Sequence, residues 1–452
     1  MSQDSIPTEL HPPEGFLWVA DRLEAAGFEA WGVGGAIRDA WSGNDRADWD
    51  IATNARPEQV RSLFRRTVPL GIEHGTVGVI GPDGTMYEVT TFRRDVETDG
   101  RHAVVEFSDT IEEDLARRDF TINALAWRPV TGQLRDPHGG AEDFRRGWLR
   151  AVGDPAERFA EDFLRVLRGL RFAGRYGLAF DPSTRAALEE AVPGLEQLSA
   201  ERVREELMKS LAGERAGETI SLYAETGALG YWLPELAAVA REDPRWQSTL
   251  SAIESIPRHR VFLRLVRLLL ALPREEAGSD SDGEEPGDTP GTGAPTVGAI
   301  MDRLKFSRSE SRRAEALWRL YLPLVSPVDS AAAVRDWLSE AGRDHARDLF
   351  RLHFAMARGS GAGESERALI HAWRRVHDEL VGGAPLDLSD LAVDGNDMIE
   401  LGLPRGPLVG LMLEELHAQV IEDPTRNDRE TLLAEARELI EMGALDGLDA
   451  DV

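Results

Sequence analysis

The chain has no cysteine. That removes disulfides, thiolate zinc sites and iron–sulfur clusters in one step, and it fits a reducing compartment. No apolar run approaches the roughly 20 residues of a membrane span, so no membrane association is expected. The opening residues, Met-Ser-Gln-Asp-Ser-Ile-Pro-Thr-Glu, lack a basic region followed by an apolar stretch. No secretory leader is read there, and the expected compartment is the cytoplasm. Lysine is nearly missing: Lys209 and Lys305 are the only two, so the fixed positive charge is almost all arginine. Acidic residues outnumber Lys and Arg by 80 to 52, for a net charge of −28 over 452 residues. By itself this speaks against a nucleic-acid binder. Its distribution speaks the other way, because residues 115–175 hold twelve arginines against eight acids. A generally acidic, arginine-rich background would explain the total but not this clustering.

The length suits about three domains with ample core, and a 42% hydrophobic share is ordinary for a globular protein. Phe16, Val19, Leu23 and Ala26 repeat at helical spacing over 15–30. Glu29 to Val33 reads as a strand running into Gly34-Gly35, and Ala36 to Trp41 as a helix. Asp48 to Ala52 reads as a second strand, and Pro57 to Phe64 as a helix opened by proline. Gly75 to Ile80 and Met86 to Phe92 read as paired strands across the turn Gly81-Pro82-Asp83-Gly84. These elements predict a mixed head over 1–140. Beyond it the pattern is helical: a neck over 141–212, a body over 213–384 and a tail over 385–452. In the neck, Phe159 to Tyr176 reads as one long helix, and Ser199 as the N-cap of a helix over 200–211. Val261 to Leu272 reads as a buried helix. The stretch 275–296 is rich in Ser, Asp, Gly, Glu, Pro and Thr and reads as a disordered insertion. The fold class is therefore α+β, with no internal repeat.

Two segments carry candidate chemistry. Gly34 and Gly35 let backbone amides approach phosphate oxygens without a Cβ in the way, and the helix start behind them, with Arg38 and Asp39 in its first turns, favours an anion. A tight strand-to-helix turn would need the same glycines for steric reasons alone. Asp48 and Asp50 stand two apart on a strand, which puts both on one face, where they can share a pair of magnesium ions. A solvated strand edge gives the same spacing. Glu88, on a later strand, is a candidate third ligand.

The motifs occur in a recognisable order. Gly34-Gly35-Ala36-Ile37-Arg38-Asp39 with Asp48-Trp49-Asp50 resembles the first motif of the class II tRNA nucleotidyltransferases and related poly(A) polymerases. Arg117-Arg118-Asp119-Phe120-Thr121-Ile122-Asn123-Ala124 resembles the second, and Asp136-Pro137-His138-Gly139-Gly140 the third. Glu161-Asp162-Phe163-Leu164-Arg165-Val166-Leu167-Arg168 resembles the fourth, and Ser199-Ala200-Glu201-Arg202 the helix after it. The likeness spans about 32–211, with a weaker continuation in Asp394 to Gly410 and Asn427 to Ala434.

The resemblance implies a polymerase-β-like head and a set of roles. Asp48 and Asp50 would be catalytic and hold two Mg²⁺ ions. Gly34, Gly35 and Arg38 would hold the triphosphate. Arg118, Asp119 and Asn123 would contact the ribose, and Asp162 with Arg165 would read the base. Three positions apart on one helix, that pair would be neighbours. CTP and ATP both present an amino donor beside a ring-nitrogen acceptor, which a carboxylate and an arginine complement. UTP and GTP reverse that polarity and would leave buried groups unpaired, at about 1–3 kcal/mol each. Arg168 and Arg171 would meet nucleotide or tRNA phosphates, while Arg175 reads equally as a solvated position. Thr98-Asp99-Gly100-Arg101-His102 resembles the family's flexible loop, tied to completing the terminal A. An aromatic residue ahead of Asp99 is missing, and Ala103 stands where proline is common. The implied reaction is template-independent addition of C, C and A to tRNA lacking all or part of its 3′ CCA, from CTP and ATP. CC-only or A-only addition, or poly(A) synthesis, would use the same motifs. Gly402 to Pro407 reads as a turn before a tail helix that can seat a tRNA phosphate or serve as a plain helix start. His377-Asp378 reads as surface. A monomer is the working expectation.

Overall fold

The computed structural model describes residues 10–42, 48–72, 75–98, 103–273, 297–321 and 330–442. The chain divides into two compact units, Met1–Glu242 with Arg303–Lys305, and Asp243–Asp302 with Phe306–Val452.

The first unit opens with α1 (Glu14–Ala25), β1 (Ala30–Val33), α2 (Gly35–Trp41), β2 (Asp50–Thr53) and α3 (Pro57–Leu63). Next come β3 (Thr67–Pro69), β4 (Thr76–Ile80), β5 (Met86–Thr91) and a ribbon of β6 (Arg93–Thr98) with β7 (Ala103–Phe107). The head closes with α4 (Ile111–Ala116), β8 (Ala126–Arg128), β9 (Gln133–Arg135) and α5 (Gly140–Arg146). Among the described residues seven strands form one sheet in the order β3-β4-β5-β2-β1-β8-β9. β2 runs parallel to β5 and every other neighbouring pair is antiparallel, so the sheet is mixed, as the strand readings imply.

Alternation decides which face is covered. In β5, Tyr87, Val89 and Thr91 are buried while Met86 and Glu88 are exposed. Phe16, Val19 and Leu23 of α1 join Ile51, Val77, Val79 and Val89 in one core. Trp49 closes it, 4.9 Å from Phe16 and 6.0 Å from Trp127 between ring centres. Gly32 of β1 is held to a hydrogen side chain by this packing: a Cβ there would lie 3.0 Å from Phe16 and 3.2 Å from Trp49. Strand pairing begins at Asp50, not at Asp48 as the pattern suggests. Asp48 lies just ahead of the ladder while Trp49 turns into the core.

Past the head, the stretch expected as the neck holds β10 (Trp148–Leu149), α6 (Pro155–Glu161), α7 (Leu164–Tyr176), β11 (Ala179–Phe180), α8 (Pro182–Ala191) and α9 (Ala200–Leu211), and α10 (Ala216–Glu225) follows it. The single helix expected over Phe159 to Tyr176 is two. Asp162 is extended, with φ −158° and ψ 107°, and its Oδ1 accepts from the Leu164 N–H at 3.0 Å. A short acidic side chain that satisfies a free helical N–H favours a fresh helix start over continuation. Ser199 caps α9 as expected, accepting from the Arg202 N–H.

Among its described residues the second unit is helical. Val261–Leu269 is a buried helix. Gly402 and Gly406 adopt positive φ before the helix Pro407–Glu422. His377 and Asp378 are exposed on the helix Gly363–Gly382. The expected insertion at 275–296 lies outside the described residues. No helix among the described residues is long and apolar enough to cross a membrane.

Candidate active site

β1 ends at Val33, and the chain turns at Gly34 with φ 64° and ψ −120°, a region that favours glycine. A Cβ at Gly34 would also sit 2.6 Å from Arg118 Nη1. The turn delivers α2, whose Arg38 is 4% exposed. Its guanidinium donates to Asn123 Oδ1 and, at 3.0 and 3.2 Å, to Asp39 Oδ1. It lies 4.8 Å from the Phe172 ring centre and 4.6 Å from that of Tyr176. Expected at the triphosphate, Arg38 does border the cavity, but its charge is tied into a network joining head and neck. Tyr176 donates to Asp39 as well, and Arg175 reaches it at 3.4 Å. Arg175 is therefore paired rather than merely solvated.

β2 and β5 bring the acidic residues together. Their parallel register, Ile51 beside Val89, sets Asp50 beside Glu88 on the uncovered face. Burial pushes the Asp50 carboxyl up to about 7; Asp48 and Glu88 push the same way and Arg118 pulls against them. A cation beside Asp50 would offset that pressure on its charged form. Among the described residues no three acidic or histidine side chains stand close enough to cage an ion alone.

The second motif supplies the adjoining wall. Arg118 donates to Asp114 Oδ2 at 3.0 Å and to the Asn123 carbonyl at 3.2 Å, while its buried Nε has no hydrogen-bond partner among the described residues. Asp119 and Asn123 are buried, and Asn123 Nδ2 donates to Asp119 Oδ1 at 2.8 Å. Arg168 Nε donates to Asp119 Oδ2 at 2.7 Å. Burial alone would raise the Asp119 carboxyl. The Arg168 charge and the bonds from Asn123, Arg168 and the Phe120 N–H outweigh it and hold the group at about 2. The third motif is architectural. Asp136 accepts from the Gly140 and Ala141 N–H groups at 2.7 and 3.0 Å, and a Cβ on Gly140 would collide with the Thr121 carbonyl. It clamps α5 beneath the segment carrying Asn123.

Asp162 and Arg165 both face the cavity, but they are not partners on one helix. Arg202 Nη2 of α9 donates to Asp162 Oδ2 at 2.7 Å. Arg165 donates to Glu161, to the Arg158 carbonyl at 2.8 Å and to the Arg117 carbonyl at 3.3 Å. Each putting-in-place side chain thus comes from a neighbouring turn or helix. Arg171 is buried against Glu206, its Nε 2.6 Å from Oε2, and Lys209 reaches the same carboxylate at 3.3 Å. Sequence reading assigned no role to Glu161, Arg202 or Glu206. The available signals were adjacency to Asp162 and the ordered Ser199-Ala200-Glu201-Arg202 run.

One cavity of about 890 Å³ collects Gly34, Gly35, Arg38, Asp48, Asp50, Glu88, Arg118, Asp119, Asn123, Asp162, Arg165, Arg168 and Arg171. Asp99 and Arg101 of the expected flexible loop lie outside the described residues. Among the described residues, eight cationic and six acidic side chains line the cavity, so within a chain of net charge −28 they present a locally positive surface to an anion. Acidic groups on the sheet and arginines on the neck suit a nucleotide whose phosphates lie between a cation and guanidinium groups.

Comparison with known proteins agrees. Residues 30–150 match the family described as "Poly A polymerase head domain", 177–239 that described as "Probable RNA and SrmB- binding site of polymerase A", and 296–436 "tRNA nucleotidyltransferase domain 2". The chain is 46% identical to the CCA-adding enzyme of Leuconostoc mesenteroides, covering 93% of this chain and 95% of that one. Identity to the CCA-adding enzyme of Limosilactobacillus fermentum is 31%, covering 97% and 100%. The crystal structure of Bacillus stearothermophilus CCA-adding enzyme in complex with CTP superposes with a TM-score of 0.76 at 30% identity, covering 97% of this chain and 100% of that one. Fold and cavity define a nucleotidyltransferase with a polymerase-type head. The chain belongs to the class II tRNA nucleotidyltransferase and poly(A) polymerase family, among the CCA-adding enzymes.

Proposed function

We propose that this protein adds C, C and A, without a template, to the 3′ end of tRNA lacking all or part of that sequence, using CTP and ATP and releasing pyrophosphate. The observation that carries this reading is the convergence, in one cavity, of Asp48, Asp50 and Glu88 with Asp162 and Arg165. The first group suits phosphoryl chemistry, and the second suits discrimination of a base by hydrogen-bond polarity. The full-length likeness to CCA-adding enzymes supports it.

The residues divide the work as follows. The Gly34–Gly35 turn leaves room for phosphate oxygens, and Arg118, Arg168 and Lys209 offset their charge. Asp119, ionised at neutral pH, accepts from the ribose 2′ hydroxyl beside Asn123, which a deoxyribose could not supply. Asp162 accepts from the amino group of cytosine or adenine, and Arg165 donates to the adjacent ring nitrogen. The tRNA 3′ hydroxyl gives its proton to water, its oxygen bonds to the α-phosphorus, and the bond to pyrophosphate breaks. Two Mg²⁺ ions, held by Asp48 and Asp50 with Glu88 beside them, would supply Lewis-acid stabilisation of both oxygens when bound. The helical remainder would engage tRNA by shape and backbone rather than by sequence, with the 385–452 tail as the tRNA-binding end and the Gly402–Pro407 turn as one phosphate seat.

Addition of CC alone is the second reading, favoured by Ala103 and the missing aromatic ahead of Asp99. Sizing the products from tRNA ending before CCA, given CTP, ATP or both, separates the possibilities. Three added nucleotides with both substrates are expected. A stop at CC, or a growing run of A, would overturn the proposal.

A further inference from the structure

The uncovered face of the head sheet continues past the carboxylates into an apolar shelf. Register places Glu88 opposite Gly78 and Gly78 opposite Val68, so Asp50, Glu88, Gly78 and Val68 form one cross-strand row. Leu70 and Met86 close over the middle of it. A Cβ on Gly78 would lie 2.9 Å from both Leu70 Cδ1 and Met86 Sδ, so these two side chains rest directly over its backbone. Val68, Leu70 and Met86 are 38%, 37% and 42% exposed. Three large apolar side chains thus face solvent together, immediately beyond Glu88. Thr76 and Thr90 lie on the same face, hydroxyl to hydroxyl at 3.1 Å, and border the cavity.

Strand order says what this shelf is for. The Gly34–Gly35 turn follows β1, on one flank of β2, whereas Glu88 and the shelf ride on β5, β4 and β3, on the other flank. In nucleotidyl transfer the attacking and leaving oxygens lie roughly in line across the phosphorus. With the triphosphate on the β1 side of Asp50, the attacking hydroxyl must arrive from the β5 side. Resting on the nucleotidyl-transfer reading above, we infer that Val68, Leu70 and Met86 form the seat for the 3′-terminal nucleoside of the acceptor strand.

Its chemistry fits that occupant. The terminal base changes at every step of the reaction, and before the first step it is whatever base the tRNA carries. A surface of leucine, valine and methionine has no strong hydrogen-bonding group with which to favour one base, and the unbranched thioether adapts to different outlines. Binding to such a surface tolerates any base face, as stacking does elsewhere. The two threonine hydroxyls are placed for sugar or phosphate oxygens of the same nucleotide.

The test uses full-length protein with Leu70→Ser and Met86→Ser combined. Both side chains are exposed, so the fold should hold, and the conservative pair Leu70→Met with Met86→Leu controls for it. Varying tRNA at saturating CTP, KM for tRNA should rise about tenfold, while KM for CTP and kcat change less than about twofold. The conservative pair should restore the tRNA KM. A tRNA carrying 4-thiouridine at its 3′ end should crosslink to the 68–86 segment of the unaltered protein. An unchanged tRNA KM, a rise confined to CTP, or a crosslink elsewhere would each overturn the seat while leaving CCA addition intact. Failure of the unaltered protein to extend tRNA at all would instead strike the reading on which the seat rests.

Discussion

Replacing Arg202 by alanine isolates how the base-reading carboxylate is held. Asp162 has two partners: the Leu164 N–H on Oδ1 and the Arg202 guanidinium on Oδ2, at 3.0 and 2.7 Å. A hydrogen bond to a charged group contributes about 1.5–3 kcal/mol when well made. Here the two side chains are 35% and 28% exposed, so solvent screening lowers the figure to about 1.4 kcal/mol, a factor of ten. Without Arg202 the carboxylate keeps its backbone anchor but gains rotational freedom, and it must be ordered again each time a nucleotide binds. Steady-state incorporation should therefore show KM for CTP and for ATP raised about tenfold, with kcat changed less than about twofold. Misincorporation from UTP should rise in parallel. Arg202→Lys should restore part of the effect, since it keeps the charge but not the planar fork. Melting should fall by no more than about 3–6 °C, the shift that a loss near 1.4 kcal/mol gives a domain of this size. Unchanged KM values and unchanged selectivity would refute the reasoning. A large melting shift with normal selectivity would make Arg202 a purely structural residue.

Two further outcomes follow from the site. Asp48→Ala should abolish incorporation while tRNA affinity in a gel shift changes less than about twofold; unchanged turnover would remove the metal assignment. The Asp119 carboxyl is lowered from 3.8 to about 2, so its contribution to stability is present above pH 3.8 and lost as the pH falls towards 2. Asp119→Asn leaves Arg168 without its buried counter-charge, at about 3 kcal/mol near pH 7. In urea unfolding, the gap between the parent protein and Asp119→Asn should narrow below about pH 4. A gap that holds constant from pH 7 to pH 3 would contradict the pairing.

Local devices are legible in the order of residues alone. Gly34-Gly35 between an apolar strand and a helix fixes a turn, because positive φ and close approach demand glycine whatever surrounds them. The period-two pattern from 75 to 92 fixes a hairpin, and Ser199 fixes the start of a helix, because a cap acts within three residues. The ordered motifs also identify the family, since four matches in register constrain one another. Tertiary structure alone decided the partnerships. Asp162 and Arg165 share a helical spacing on paper, yet a carboxylate that caps Leu164 breaks the helix, and each side chain turns to a different neighbour. Arg202 and Asp162 are 40 residues apart, Arg38 and Asn123 are 85 apart, and Arg168 and Asp119 are 49 apart. No local rule couples such positions. They meet because the sheet order and the packing of the neck helices bring them to one cavity, where burial makes an unpaired charge costly and so selects the pairs that form.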